Sequence, residues 1–310
     1  MHQHWLASYP PGMPAEIDVQ RFRSLVERFR NTVERFPHKP AFANFGTVLS
    51  YAEIDALSRR FAAYLTGSLG LETGERIAIM MPNILQYPVI LYGALRAGMI
   101  VVNVNPLYTA RELRHQLADS GVRVIVILEH FAHVLQDAID GAELEVEQVV
   151  TTQVGDLLKF PSSLLINSVL RHVKRAIPQW RIDGARALKS VLAEGARLNH
   201  EDANPDSDDI AFLQYTGGTT GISKGVILTH GNVSANVVQA RTWVGESMVD
   251  GEEISITALP LYHIFSLTAN CLYITAIGGL NVPISNPRDY RAFVKELKRW
   301  KFTFITGVNT

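Results

Sequence analysis

The sequence predicts a layered α/β protein with a parallel sheet, and three observations carry that prediction. Between residues 76 and 128, short β-branched runs alternate with segments of helical period, the pattern of strand–helix–strand units. Hydrophobic residues make up 47% of the chain and charged residues 19%, which suits a packed interior and rules out disorder. With 310 residues, the chain is long enough for roughly two units at about 150 residues each.

The first element is an amphipathic helix. Phe22, Leu25, Val26, Phe29, Val33 and Phe36 share one face, Arg23, Glu27, Arg30 and Glu34 take the other, and Pro37 and Pro40 end it. Ser50 with Glu53 three residues on is a capping box. It starts a second helix through Ile54, Leu57, Phe61 and Leu65 that stops near Gly67 or Gly70. Residues 76–81 (RIAIMM) read as a strand and 85–96 as a helix with Pro88 in its first turn. After the Gly98 break, 99–104 is a second strand. Thr109 and Glu112 form another capping box, Leu113 and Leu117 face inward, and Asp119-Ser120-Gly121 stops that helix before a third strand at 124–128.

Residues 157–180 predict an amphipathic helix. Ile166, Val169, Leu170, Val173 and Ile177 lie on one face, and Arg171, Lys174 and Arg175 gather on another. Such a helix either packs with a solvated face or touches a membrane surface. The polar stretch 199–209, with four Asp, one Glu and Pro205, marks the boundary between 1–204 and 205–310. Beyond it, 210–215 (IAFLQY) is a buried strand, 226–229 resumes an extended pattern, and a helix begins at Gly231 or Asn232.

Charge and cysteine usage exclude several classes. Lys and Arg total 29 against 30 Asp and Glu, a net charge of −1, so no field gathers nucleic acid. The first 14 residues hold no basic or apolar leader. Residues 254–287 carry no Asp, Glu, Lys or Arg, but Pro260, His263, Asn270, Gly278 and Gly279 interrupt them. They read as buried strand and helix rather than a span of about 20 apolar residues. The single cysteine, Cys271, sits in an apolar run and reads as core. It cannot form an internal disulfide, which points to the cytoplasm. The histidines show no HExxH and no zinc spacing.

One segment carries chemistry. Thr216-Gly217-Gly218-Thr219-Thr220-Gly221-Ile222-Ser223-Lys224-Gly225 follows a strand directly. Glycines let backbone N–H groups approach an anion. The hydroxyls of Thr216, Thr219, Thr220 and Ser223 add donors, and Lys224 adds a point positive charge. It is not the usual P-loop, which needs Gly before the Lys and Ser or Thr after it. By residue type alone, a plain Gly/Thr hairpin loop and a phosphate cradle are both open. His263, likewise, reads by type alone as a buried core histidine.

Residues 215–225, YTGGTTGISKG, closely resemble the Ser/Thr/Gly-rich signature of the adenylate-forming superfamily. Residues 258–265, ALPLYHIF, are similar to the Pro-x-aromatic-His motif these enzymes carry downstream. Residues 103–113 (NVNPLYTAREL), 85–88 (LQYP) and 305–310 (ITGVNT) look like bacterial long-chain fatty-acid–CoA ligases. The resemblance covers nearly the whole chain and is weakest over 129–204. It implies the αβαβα N-terminal domain of an adenylate-forming enzyme, truncated, with the C-terminal domain and the later Glu, Asp and Lys motifs absent.

The resemblance implies activation of a long-chain fatty acid with ATP, Mg²⁺ and coenzyme A through an acyl-adenylate. The alternatives are medium-chain or aryl acids, or a fragment that binds nucleotide or fatty acid without turnover. Carried over by position, Thr216 to Lys224 hold the β- and γ-phosphates, with Thr216 the magnesium contact. His263 stands at the carboxylate and α-phosphate, with Lys224 its catalytic partner. Tyr262, Ile264, Gly307, Val308 and Asn309 line the acyl or adenine pocket. The position of a tryptophan gate in some long-chain relatives is Leu267 here, so no gate is carried over. A homodimer and peripheral attachment to the inner membrane face complete the expectations.

Overall fold

The structure, a computed structural model, describes residues 4–18, 23–173, 176–217 and 222–309. Helix α1 (Leu25–Arg35) precedes the hairpin β1 (Pro40–Asn44) and β2 (Thr47–Ser50), then α2 (Tyr51–Ala63). β3 (Arg76–Met80), α3 (Gln86–Arg96), β4 (Ile100–Asn103), α4 (Ala110–Ser120), β5 (Val122–Leu128), α5 (Ala132–Ile139) and β6 (Gln148–Thr152) alternate. Next come α6 (Ser162–Ser168), β7 (Arg186–Ala187), α7 (Leu188–Gly195), β8 (Ile210–Thr216), β9 (Lys224–Thr229) and α8 (His230–Val244). The order closes with β10 (Ile254–Thr257), α9 (Ile264–Ser266), α10 (Tyr273–Ala276), β11 (Leu280–Pro283), α11 (Tyr290–Arg299) and β12 (Phe304–Ile305).

Local signals start and stop these helices much as the sequence predicts. Both capping boxes form: Ser50 Oγ accepts the Glu53 N–H and Thr109 Oγ1 the Glu112 N–H, each Glu reaching back to the cap. Gly121 ends α4 with φ 59°, a left-handed conformation a side chain would resist. Helix α1 starts later than its apolar pattern, at Leu25, because the Ser24 side chain accepts the Glu27 N–H. Phe22 lies outside the described residues. The segment expected to be helical over 157–180 is so only over 162–173, as α6 and a π-helical turn at Val169–Val173; Lys174 and Arg175 are outside the described residues.

The strands form two sheets, ordered β7-β6-β5-β3-β4-β8-β9 and β12-β10-β11-β1-β2. Neighbours run parallel except in the hairpins β8–β9 and β1–β2. Alternation along the strands decides the layers. Ile77 and Ile79 enter a core shared with α2, α3 and Phe42 of the smaller sheet. Ala78 and Met80 face the opposite way, onto Leu113 and Leu117 of α4 and Leu135 of α5. The outer face of the smaller sheet, with Ile256 and Val282, is covered by Phe293 and Leu297 of α11. The result is the expected αβαβα stack, with helices sealing both faces of parallel strands.

The sheets are not divided at residue 204. β4 pairs with β8 across that point (Val102↔Leu213), and β1 joins the smaller sheet through Phe42↔Asn281. Nor is 199–209 a free linker: the Asp202 side chain is 5% exposed, and the Ala203 N–H donates to the Arg96 carbonyl at 2.7 Å. Acidic composition suggested solvent, but a buried arginine draws the segment in.

Candidate active site

The candidate phosphate loop is the tip of the β8–β9 hairpin. Thr216 stands directly opposite Lys224, and Tyr215 opposite Gly225. Opposed residues of an antiparallel pair project from the same face, so the hydroxyl and the ammonium begin on one side of the ladder. Thr216, Gly217 and Lys224 are exposed, and among the described residues Lys224 makes no ion pair. Gly218, Thr219, Thr220 and Gly221, which the sequence assigns to the cradle, lie outside the described residues.

Helix α4 anchors the hairpin on both strands. The Tyr215 hydroxyl donates to Asp119, and the Ser223 carbonyl lies 3.1 Å from His115 Nε2. Burial, reinforced by Asp119, pushes the Tyr215 phenol well above its ordinary range, so it stays a neutral donor. A Cβ on Gly225 would sit 3.1 Å from the Tyr215 ring. Gly225 therefore lets that ring lie against β9 and brings Lys224 to its place.

The His263 turn follows β10 and is held by buried amides. Asn83 donates to the carbonyls of Thr257 (3.0 Å) and Leu259 (2.8 Å) and accepts the Leu261 N–H at 2.8 Å. The Tyr87 hydroxyl lies 2.9 Å from the Leu261 carbonyl and 2.7 Å from Asn103 Oδ1. Gln214 of β8 donates to the Tyr262 carbonyl at 3.0 Å and accepts from Asn103 at 3.2 Å. Thus one side chain ties the hairpin strand to the residue before His263. Replacing Gln214 with Leu strands the Tyr262 carbonyl and the Asn103 amide; a loss of about 1–3 kcal/mol is expected in a denaturant melt.

His263 is exposed, against the core placement its residue type suggested. It caps α9, its Nδ1 accepting the Phe265 N–H at 3.4 Å. That contact occupies Nδ1 and leaves Nε2 without a hydrogen bond among the described residues. Tyr262 is half-buried, and burial with nearby Tyr108 raises its phenol while Arg288 opposes the rise. Ile264 packs against the central core and Leu267 is fully buried.

The third segment leaves β12, which runs parallel to β10 with Ile256 opposite Ile305. The Thr306 hydroxyl donates to Asn270 at 2.7 Å, and Asn270 is completely buried. Gly307, Val308 and Asn309 follow and are exposed; Thr310 lies outside the described residues. The hairpin tip, the His263 turn and 306–309 all stand beyond the carboxyl ends of parallel strands, where open α/β sheets bind ligands. Cys271 takes no part: burial pushes its thiol up to about 12, far from a reactive thiolate.

The donor set fits a chain of phosphates better than a resident metal. The Thr216 and Ser223 hydroxyls and the Lys224 ammonium suit anions. Among the described residues no group of three or more His, Cys, Asp or Glu could hold a metal. Thr216 offers one neutral oxygen, so a magnesium ion here would come with the nucleotide.

Asn83 and Gln214 escaped sequence analysis. The available signal was an amide inside or just after an apolar run, a polar group that must find partners once buried.

A family model described as "AMP-binding enzyme" matches residues 29–310. The chain belongs to that family. A long-chain-fatty-acid–CoA ligase of Salmonella typhimurium is 48% identical over 310 residues, all of this chain and 55% of that protein. The crystal structure of the anthranilate CoA ligase AuaEII in complex with anthranoyl-AMP superposes with a TM-score of 0.77 at 17% identity, over 93% of this chain and 51% of its own. A long-chain-fatty-acid–CoA ligase of Archaeoglobus fulgidus gives a TM-score of 0.73 at 23% identity, over 96% of this chain and 53% of that one. These structures establish the fold that this chain shares. The chain spans about half the length of the curated relative it matches.

Proposed function

We propose that the chain carries the ATP- and acid-handling elements of a long-chain fatty-acid–CoA ligase. One observation carries the proposal: Lys224 opposes Thr216 at the mouth of a glycine-rich loop, and Gln214 of the same strand is bonded to the residue beside His263. The reaction has two steps. The carboxylate oxygen attacks the α-phosphorus of ATP, and pyrophosphate leaves to give the acyl-adenylate. The coenzyme A thiolate then attacks the acyl carbon, and AMP leaves. In the first step two anions meet, so fixed donors are needed. Lys224, with the Thr216 and Ser223 hydroxyls, would meet the departing pyrophosphate, and His263 would orient the carboxylate. Thr216 is the oxygen this chain would offer a magnesium ion brought by ATP, which would offset phosphate charge.

The 48% identity to a protein named for long-chain substrates supports the acyl class. The test is competition for ATP on this chain by non-hydrolysable sulfamoyl analogues of acyl-adenylates. Displacement of ATP by the hexadecanoyl analogue more readily than by the octanoyl or benzoyl analogue supports the proposal. A lack of ATP binding overturns it, and a preference for the shorter or aryl analogue overturns the long-chain assignment.

Attachment to an anionic membrane face is part of the same proposal. Leu164 and Val173 are exposed on 162–173. Residues 157–182 carry five Lys or Arg and no Asp or Glu, a combination suited to an anionic interface. Among the described residues no helix is long and apolar enough to cross a membrane. The chain is expected to float with phosphatidylglycerol vesicles and not with phosphatidylcholine ones; equal behaviour on both defeats the attachment.

A further inference from the structure

The inner face of the same segment walls a cavity. Leu165, Ile166, Val169 and Leu170 form one side, and Ile284 and Phe293 stand on the other, around about 590 Å³. That volume lies within the range of small-molecule sites. Neither the β8–β9 hairpin, nor His263, nor 306–309 contributes to the lining.

Three features mark the cavity as more than a packing gap. Phe45, at its edge, has φ 46° and is 45% exposed. A bulky side chain in left-handed backbone is strained, and here the β1–β2 turn keeps an aromatic ring at an opening where glycine would sit without cost. His130 lines the wall, and its Nδ1 is buried without a hydrogen bond among the described residues. Burial lowers the pKa of its imidazole, with Glu129 opposing. Exposed Lys295 stands at the rim. Two carboxylates also line it, Asp289 accepting the Ala292 N–H at 3.1 Å and Glu296 the Trp300 Nε1–H at 3.0 Å.

We propose that this cavity is a second site, separate from the reaction centre, for the alkyl tail of a long-chain anionic amphiphile. Apolar walls take the tail. Lys295 at the rim is the cation placed to meet the head. The cavity and the His263 turn meet at one residue: Pro82 and Ile84 line the cavity on either side of Asn83, and the lining Ser285 donates to the Asn83 carbonyl at 2.8 Å. The site stands whether or not the ligase assignment does, because its occupancy needs no ATP.

The probe is hexadecanoic acid carrying a diazirine on its chain, photolysed with the protein in the absence of nucleotide and located by peptide mass. Adducts are expected within 162–173 or 284–296. Val169→Trp and, from the opposite wall, Ala292→Phe fill the cavity and should each lower that labelling about tenfold, as a steric block requires. Val173→Trp, off the cavity, and Lys224→Ala should leave it unchanged. Folding of each variant is checked by far-UV circular dichroism. Adducts confined to 230–244, 264–276 or 304–309, no adducts at all, or full labelling in either folded cavity variant overturn the proposal. Loss of ATP competition with cavity labelling intact would defeat the ligase assignment alone.

Discussion

Arg96→Met is expected to destabilise the protein by about 2–4 kcal/mol, because it leaves the buried Asp202 and the partly buried Asp55 with only the longer contacts to Arg59 and His200. The Arg96 side chain is 1% exposed. It donates to Asp202 at 3.1 Å, to the Asp55 carbonyl at 2.9 Å, to Ser58 at 2.9 Å and to the Asp55 carboxylate. Its guanidinium also lies 5.4 Å from the centre of the Phe29 ring. One residue thereby joins α1, α2, α3 and the stretch before β8. For a chain of this size the loss should lower Tm by about 10 °C. Removing both charges as well, with Asp55→Asn and Asp202→Asn, should recover part of the loss. The triple variant melting no higher than Arg96→Met would show that packing, not the stranded charge, sets the cost.

Lys224→Ala should weaken ATP binding at least tenfold, following the roughly 1.5–3 kcal/mol of a charge-assisted contact. AMP, which lacks the β- and γ-phosphates, should bind almost as before. Calorimetric titration of both nucleotides separates the roles. Equal losses for ATP and AMP would place Lys224 at the α-phosphate or in the fold, and unchanged ATP binding would remove it from the site. Tm should hardly move, since the side chain is exposed and makes no ion pair among the described residues.

Part of the hairpin was legible before the fold. Residue types ahead of Lys224 left a plain loop and a phosphate cradle both open, and the resemblance of 215–225 to the adenylate-forming signature favoured the cradle. Both capping boxes predict where α2 and α4 begin. What local pattern could not show was the support behind them. Asn83, Tyr87, Asn103 and Gln214 are far apart in the chain and meet only when β3, β4, β8 and β10 are assembled. His263 shows the same limit. Its type allows a core position, and only the bonded turn that makes it the cap of α9 leaves it exposed.

Short-range physics thus settled the α/β class and most of the element starts, because capping and periodicity act within a few residues. Tertiary structure alone decided that β1 and β2 leave their neighbours for the distant β11, and that an acidic stretch folds inward onto Arg96. It also decided that an apolar cavity opens behind α6. Strand pairing and burial of charge depend on which partners arrive in space, and sequence separation carries no record of that.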